Sequence, residues 1–275
     1  MHIRYLADQV RYQRMDTAEL RQTFLIDDLF QPGEVVLHYT EADRAIVGSV
    51  VPLAKTLTLT GGKELASDYF GQRREVGIIN IGASGKVGLD DQEYILENSE
   101  AIYIGRGCRK IRFMSKNKRS PAKFYLLSYP AHHRYPHKKI RLAEAEAVQL
   151  GSSEMSNKRT IHKYIRPPAV KSCQLVMGMT ILESGSIWNT MVPHTHERRT
   201  EVYLYFNMGE QIVFHFMGKP EQTRHLVIRE GQAVISPSWS IHAGAGTKNY
   251  SFIWGMGGEN QEFGDMDGVS MERIS

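Results

Sequence analysis

The feature that most constrains this chain is a beat of short apolar or alternating runs broken by Gly, Asn, Asp and Pro. Glu34–Tyr39, Ala45–Val51, Thr56–Leu59, Val76–Ile81, Tyr94–Leu96, Ala101–Ile104, Ile111–Met114 and Phe124–Ser128 follow one another in this way. Each run is too short for a helix, and the spacing of turn residues predicts antiparallel strands in a sandwich or barrel. The beat resumes later as Cys173–Ile181, Ile187–Thr190, Val202–Phe206, Gln211–Phe216, His225–Ile228, Ala233–Ile235 and Tyr250–Trp254. Between the two blocks, residues 131–170 are polar, charged and turn-rich, which reads as a connector. One helix is expected near the start. Asp16 and Glu19 have capping-box spacing, and Leu20 and Phe24 follow at helical spacing. The expected class is therefore all-β with a few short helices. Residues 1–130 form a first barrel with the leading helix, 131–170 a linker, and 171–275 a second barrel with a tail. No sequence repeat links the two blocks, so their pairing rests on rhythm alone.

The 275 residues suffice for two cores of ordinary size. The net charge of +4 is too mild to argue for nucleic acid, though it suits an anionic small molecule. The acid-free basic run from Arg106 to Lys123 reads as a solvated hairpin with Asn117 near its tip, because no aromatic stacking pattern accompanies it. Two cysteines, Cys108 and Cys173, exclude a disulfide framework and a thiolate zinc site, and a reducing cytoplasm is the expected setting. The opening MHIRYLADQVRYQ lacks a signal-peptide core, and no apolar run approaches the ~18 residues of a membrane span.

Chemistry concentrates in MVPHTHERRTEVYLYF, residues 191–206. Residues i and i+2 of a strand point to one face, ~6.6–6.8 Å apart, so His194 and His196 project together. Their imidazoles can converge on an ion at the ~2.0–2.1 Å that zinc prefers. Glu201 follows Arg198, Arg199 and Thr200, where the chain can turn or bulge, and supplies a carboxylate on the face shared with Tyr203 and Tyr205. Downstream, Gly231, Pro237 and His242 have the spacing G-x5-P-x4-H. Three histidines and one glutamate form a set that leaves room for water or substrate, as a catalytic metal needs. HERRT is not the helical zinc-protease motif, since Thr200 stands where its second histidine belongs and the context is strand-like. His132, His133, His137 and His225 are expected to be structural. Residues 1–131 hold only His2 and His38, so the first half cannot build a three-histidine site.

These two segments resemble the paired motifs of the cupin superfamily, and a narrower likeness runs nearly end to end. VPHTHERRTEVYLYF, SPSWSIHAGAGTKNYSFIWGMGGENQ, the tail DMD and the opening MHIRYLADQVRYQRMDTAELRQTFL are similar to the 5-keto-4-deoxyuronate isomerase (4-deoxy-L-threo-5-hexosulose-uronate ketol-isomerase) family. The resemblance implies a bicupin with one zinc ion per subunit in its second barrel, held by His194, His196, Glu201 and His242. It also implies a homo-oligomer, hexameric in form, acting on an anionic uronate in pectin and uronate breakdown. Trp239 and Gly246 depart from the superfamily pattern, which normally has glycine and asparagine there, and this suggests an unusual pocket wall.

The implied reaction moves a carbonyl from C1 to C2 of an acyclic uronate, converting 5-dehydro-4-deoxy-D-glucuronate to 3-deoxy-D-glycero-2,5-hexodiulosonate. It needs a base. A metal-held hydroxide, Tyr203 or His215 can fill that role, and the residues do not choose among them. Arg198 and Arg199 border the motif and can meet a carboxylate, although turn residues more often face solvent. Competing readings are a 5-deoxyglucuronate isomerase of inositol catabolism, a metal-dependent cupin dioxygenase, and a non-catalytic sugar-binding cupin.

Overall fold

The computed structural model describes all 275 residues, Met1–Ser275. Nearly every regular element is a strand, and the chain divides into two compact units. In the first, the larger sheet runs in the order His2–Arg4, Val35–Thr40, Ile46–Val50, Phe124–Pro130, Arg74–Asn80, Ala101–Ile104 and Lys138–Ile140. A smaller sheet joins Leu57–Leu59, Ile111–Ser115, Gly85–Leu89 and Gln92–Leu96. Ile78, Ile102, Phe113, Phe124 and Leu126 belong to the buried hydrophobic core of this unit.

The second unit repeats the strand order. Its larger sheet runs Glu146–Leu150, Arg159–Ile165, Val176–Leu182, Ser251–Gly258, Arg199–Phe206, Ala233–Ser236 and Leu25–Ile26. A three-stranded sheet of Gln222–Ile228, Val213–Lys219 and Ile241–Gly246 belongs to the same unit. The five inner strands of both larger sheets follow one another in matching order. The repeat is one of hydrogen-bonded strand order.

The boundaries differ from those read from sequence. The expected helix is present over Thr17–Phe24 with both capping-box bonds, Asp16 accepting from the Glu19 amide and Glu19 from the Asp16 amide. A shorter helix, Gln9–Tyr12, precedes it under an Asp8 cap. Both lie in Tyr5–Asp27, which belongs to the second unit and not to the first. The reason is packing: the Tyr12 hydroxyl donates to the Met217 carbonyl at 2.9 Å, and Leu25–Ile26 pairs with Val234–Ala233. Residues 131–170 are not a linker either. They contain the strands Lys138–Ile140, Glu146–Leu150 and Arg159–Ile165, whose polar outer faces disguise their pairing. Conversely, Ile187–Thr190 is not a strand; a single bridge joins Trp188 to Ala245. The basic run lies on and beside the Ile111–Ser115 strand but forms no hairpin around Asn117, because that strand pairs with Leu57–Leu59 and Gly85–Leu89 while Phe124–Pro130 belongs to the other sheet. Some of its cations are engaged, Lys116 by Glu97 and Arg106 by the carbonyls of Gln72 and Ala131.

One buried carboxyl organises the first unit. Glu75 is fully buried and accepts from the amides of Cys173, Gln174 and Leu175 at 2.7, 2.7 and 2.9 Å, and from the Tyr103 hydroxyl at 2.8 Å. Those amides lie outside any ladder, so the side chain replaces the sheet bonds they would otherwise need.

Candidate metal centre

The His194–Thr195 segment pairs with Asp267–Gly268, a two-stranded ribbon that brings the C-terminal tail alongside the motif. The chain then turns, with the Arg199 amide donating to the His196 carbonyl at 2.9 Å. The following strand begins at Arg199, earlier than the Val202 expected from its apolar run. Glu201, Tyr203 and Tyr205 alternate along it on one face. On the far side, Gly231 takes a φ of +77°, which glycine tolerates without strain. After the Ala233–Ser236 strand, Pro237–Ser240 turns the chain so that His242 enters on Ile241–Gly246.

The four expected ligand residues meet. One donor atom from each of His194, His196, Glu201 and His242 lies within 4.8 Å of all the others. His194 Nε2 is 3.1 Å from the Nε2 of His196 and 3.1 Å from that of His242. Glu201 Oε2 is 3.1 Å from His196 Nε2 and 2.8 Å from His242 Nε2. Donors about 2.0–2.1 Å from a common ion are separated by roughly 2.8–3.0 Å at adjacent octahedral positions and roughly 3.3–3.4 Å in a tetrahedron, so these edges fit.

The protonation pattern supports the same conclusion. His196 Nδ1 lies 2.6 Å from the Asp265 carbonyl oxygen, which can only accept, and 3.2 Å from Arg199 Nη2, which can only donate; the much shorter contact puts the proton on Nδ1, and Arg199 Nη2 donates instead to the Asp265 carbonyl at 2.8 Å. In the neutral ring, Nε2 then turns a lone pair toward the Glu201 carboxylate. Two electron pairs face each other at that contact unless a cation lies between them. A histidine whose outer nitrogen donates to a carbonyl is the usual arrangement of a metal ligand. The residues present therefore fit a divalent ion, and this buried group could bind one.

Burial dominates the electrostatics. It pushes His194 down to about 3, helped by the charge of His242 and opposed by Glu201. Burial pushes His215 down to about 3 as well. For Glu201, burial alone would raise the carboxyl, but the charge of His242 and hydrogen bonds from His196 and His242 outweigh it and hold it below the usual carboxylate range. His194 and His215 thus refuse protons that the unfolded chain accepts at the ordinary histidine value of 6.5. With folded values depressed, their stabilising contribution is present above 6.5 and lost as pH falls toward about 3. Denaturant titrations of metal-free protein across this window are expected to show falling stability on acidification. A flat profile would refute the assignment of buried neutral rings.

The nest opens into a cavity of ≈ 370 Å³ whose wall is mostly apolar and includes Phe252, Trp254, Met256 and Phe263. Tyr203 lines it, with its hydroxyl 2.8 Å from Thr190 Oγ1. Burial, with Glu201 adding to it, raises Tyr203 well above the usual phenol range and keeps the hydroxyl protonated. His215 is not on the cavity wall. Its Nδ1 is 2.7 Å from the Tyr205 hydroxyl, behind the nest, and Asn189 Nδ2 donates to that hydroxyl at 3.3 Å.

Arg198 and Arg199 are both engaged by the tail. Arg198 pairs with Asp265 and, at 2.9 Å, with Asp267, while Arg199 donates to the carbonyls of Glu262 and Asp265 at 2.8 Å. Trp239 does not shape the cavity; its ring meets Tyr12 edge-on at 5.2 Å. Gly246 leaves room for Tyr250, whose ring carbons would be 2.8 Å from an added Cβ. The sequence carries no signal for the Asp265 carbonyl or for Arg159 on the cavity wall. A backbone oxygen leaves no mark there, and Arg159 stood in the stretch read as a connector.

Two barrel-like units, one filled with hydrocarbon and one carrying a buried three-histidine, one-glutamate nest, define a bicupin with a candidate metal site. Structural likeness agrees: an IolB-like protein from Salmonella typhimurium LT2 matches with a TM-score of 0.72 at 12% identity, over 90% of this chain and 97% of that one. A cupin 2 conserved barrel domain protein from Leptotrichia buccalis matches at 0.50 and 12%, over 86% and 96%. The model of the KduI/IolB family matches residues 25–270, and the chain belongs to that family. Proteins named 4-deoxy-L-threo-5-hexosulose-uronate ketol-isomerase from Caldicellulosiruptor bescii and Halalkalibacterium halodurans are 50% and 51% identical to it, over 100% of both chains.

Proposed function

We propose that this protein is a zinc-dependent aldose–ketose isomerase converting 5-dehydro-4-deoxy-D-glucuronate to 3-deoxy-D-glycero-2,5-hexodiulosonate. Its place is cytoplasmic pectin and uronate breakdown, with one zinc ion per subunit of a homo-oligomer, hexameric by family likeness. The observation that carries the reading is the buried histidine–glutamate nest opening into a largely apolar cavity. Full-length relatives at half identity bear the name of this ketol-isomerase, which supports the choice of substrate.

His194, His196, Glu201 and His242 would hold the ion, and the Asp265 carbonyl sets the His196 tautomer that such a ligand needs. The bound ion would supply a Lewis acid that polarises a carbonyl oxygen and stabilises negative charge on it. During turnover one proton passes from C2 to C1 and one from the C2 oxygen to the C1 oxygen, so the aldehyde becomes an alcohol and the C2 alcohol a ketone with no net gain or loss of protons or electrons. Tyr203 donates a hydrogen bond to a substrate oxygen as charge develops there. Its protonated hydroxyl does not suit it to be the base at neutral pH. No carbon-directed proton transfer is assigned to His215, which the cavity does not reach. The apolar wall suits a carbon chain poor in hydroxyls, since each buried hydroxyl would need a partner.

Zinc-loaded protein assayed with the uronate is expected to form the 2,5-diketo acid. Failure to convert it would refute the reading. Turnover of 5-deoxyglucuronate instead would indicate the sister isomerase, oxygen uptake a dioxygenase, and binding without conversion a sugar-binding cupin. Tyr203→Phe is expected to lower kcat roughly 10²- to 10³-fold while metal content stays at the wild-type level. An unchanged kcat would remove Tyr203 from the chemistry.

A further inference from the structure

The substrate proposed above is an anion, and the wall of the cavity holds one arginine and no lysine. That arginine is Arg159, the first residue of the Arg159–Ile165 strand, where it pairs with Leu150. Ile161, two residues on and so on the same face, also lines the cavity. Arg159 is 7% exposed. Its Nη1 donates to the Asn157 carbonyl at 2.8 Å and its Nη2 lies 3.5 Å from the Met191 carbonyl. Neither partner is an acid.

A buried guanidinium stays charged, and buried charges are ordinarily paired with an opposite one. The other arginines beside the nest obey this pattern or are spent on backbone: Arg198 has Asp265 and Asp267, and Arg199 has the carbonyls of Glu262 and Asp265. Lys163, on the same strand as Arg159, pairs with Glu146 at 2.8 Å. Arg159 alone combines burial, a place on the cavity wall and the lack of a carboxylate partner. Two carbonyls hold the fork in place and use two of its five N–H donors, leaving others for a ligand.

We propose that Arg159 receives the carboxylate of the substrate, so that an acyclic acid is anchored at one end by this guanidinium and at the other by the histidine–glutamate nest. The inference rests on the isomerase reading for the identity of the substrate. Its physical content is narrower: the cavity prefers an open-chain monocarboxylate to the neutral chain of the same length. Burial already weighs against the guanidinium charge and lowers its pKa. An incoming carboxylate relieves that penalty, and planar two-point pairing gives geometric selectivity that a point charge lacks.

The test uses metal-loaded Arg159→Gln and Arg159→Lys with the uronate, beside calorimetric titration of metal-free protein with gluconate and with glucitol. Arg159→Gln is expected to raise KM roughly 10- to 100-fold with a smaller change in kcat, as befits a lost hydrogen bond to a charged group. Arg159→Lys is expected to recover part of that loss. Metal-free wild type is expected to bind gluconate more tightly than glucitol, and Arg159→Gln to lose the preference. A folded Arg159→Gln protein that keeps the wild-type KM, or keeps the gluconate preference, overturns the assignment. So does a wild type that shows no preference. Thermal unfolding establishes whether Arg159→Gln is folded. If it is not, Arg159→Lys decides, and a wild-type KM in that variant overturns the proposal. If wild type leaves the uronate unconverted, the isomerase reading fails while the gluconate arm still decides the role of Arg159.

Discussion

His242→Ala is expected to lose metal and activity together while remaining folded. Its Nε2 is one of four donor atoms in the nest, 2.8 Å from Glu201 Oε2 and 3.1 Å from His194 Nε2. Removing it leaves Glu201 and two histidines, with no other titratable side chain in the cluster to replace it. The loss in metal affinity should exceed the roughly 10- to 100-fold typical of changes one shell further out. The strand itself should survive, because Met217 pairs with residue 242 through the backbone and alanine preserves that ladder. Elemental analysis of purified variant, run beside circular dichroism and the uronate assay, checks all three expectations. Full metal content in a folded His242→Ala protein would show that the nest is not the binding site.

Glu75→Ala should be the most damaging single change outside the metal centre, and for a different reason. Its carboxyl oxygens accept from three consecutive amides, Cys173 to Leu175, and from the Tyr103 hydroxyl. Alanine leaves those donors without partners inside the first unit and adds a cavity. A destabilisation of about 3–5 kcal/mol is expected, since unpaired buried donors each carry a desolvation penalty. Denaturant unfolding followed by fluorescence measures it. Metal content per folded molecule should be unchanged, because Glu75 lies in the unit without the nest. A loss under about 1 kcal/mol would mean that water replaces the carboxyl at these amides.

The strand rhythm was legible because alternation is a local property. Arg74–Asn80 and Phe124–Pro130 are buried along almost their whole length, and their apolar runs stand out in the chain. Glu146–Leu150 and Arg159–Ile165 escaped notice for the opposite reason. They lie at the outer side of a sheet, where exposed or half-buried polar residues carry no apolar signal. The leading helix was legible through Asp16 and Glu19, yet its unit was not. Membership depends on Tyr12 reaching Met217, some two hundred positions away.

The sequence by itself determined the class of fold and the identity of the four nest residues, because i, i+2 spacing and turn residues act over a few positions. The tertiary structure alone decided what surrounds them. It brought the Asp265 carbonyl to His196, turned Tyr203 toward the cavity and left His215 behind it, and placed Arg159 on the wall without an acid. Each of these outcomes depends on which distant segments share one interior. Local spacing cannot encode that, because the same residue type on the same strand phase can face a ligand, a hydrogen-bond partner or packed hydrocarbon.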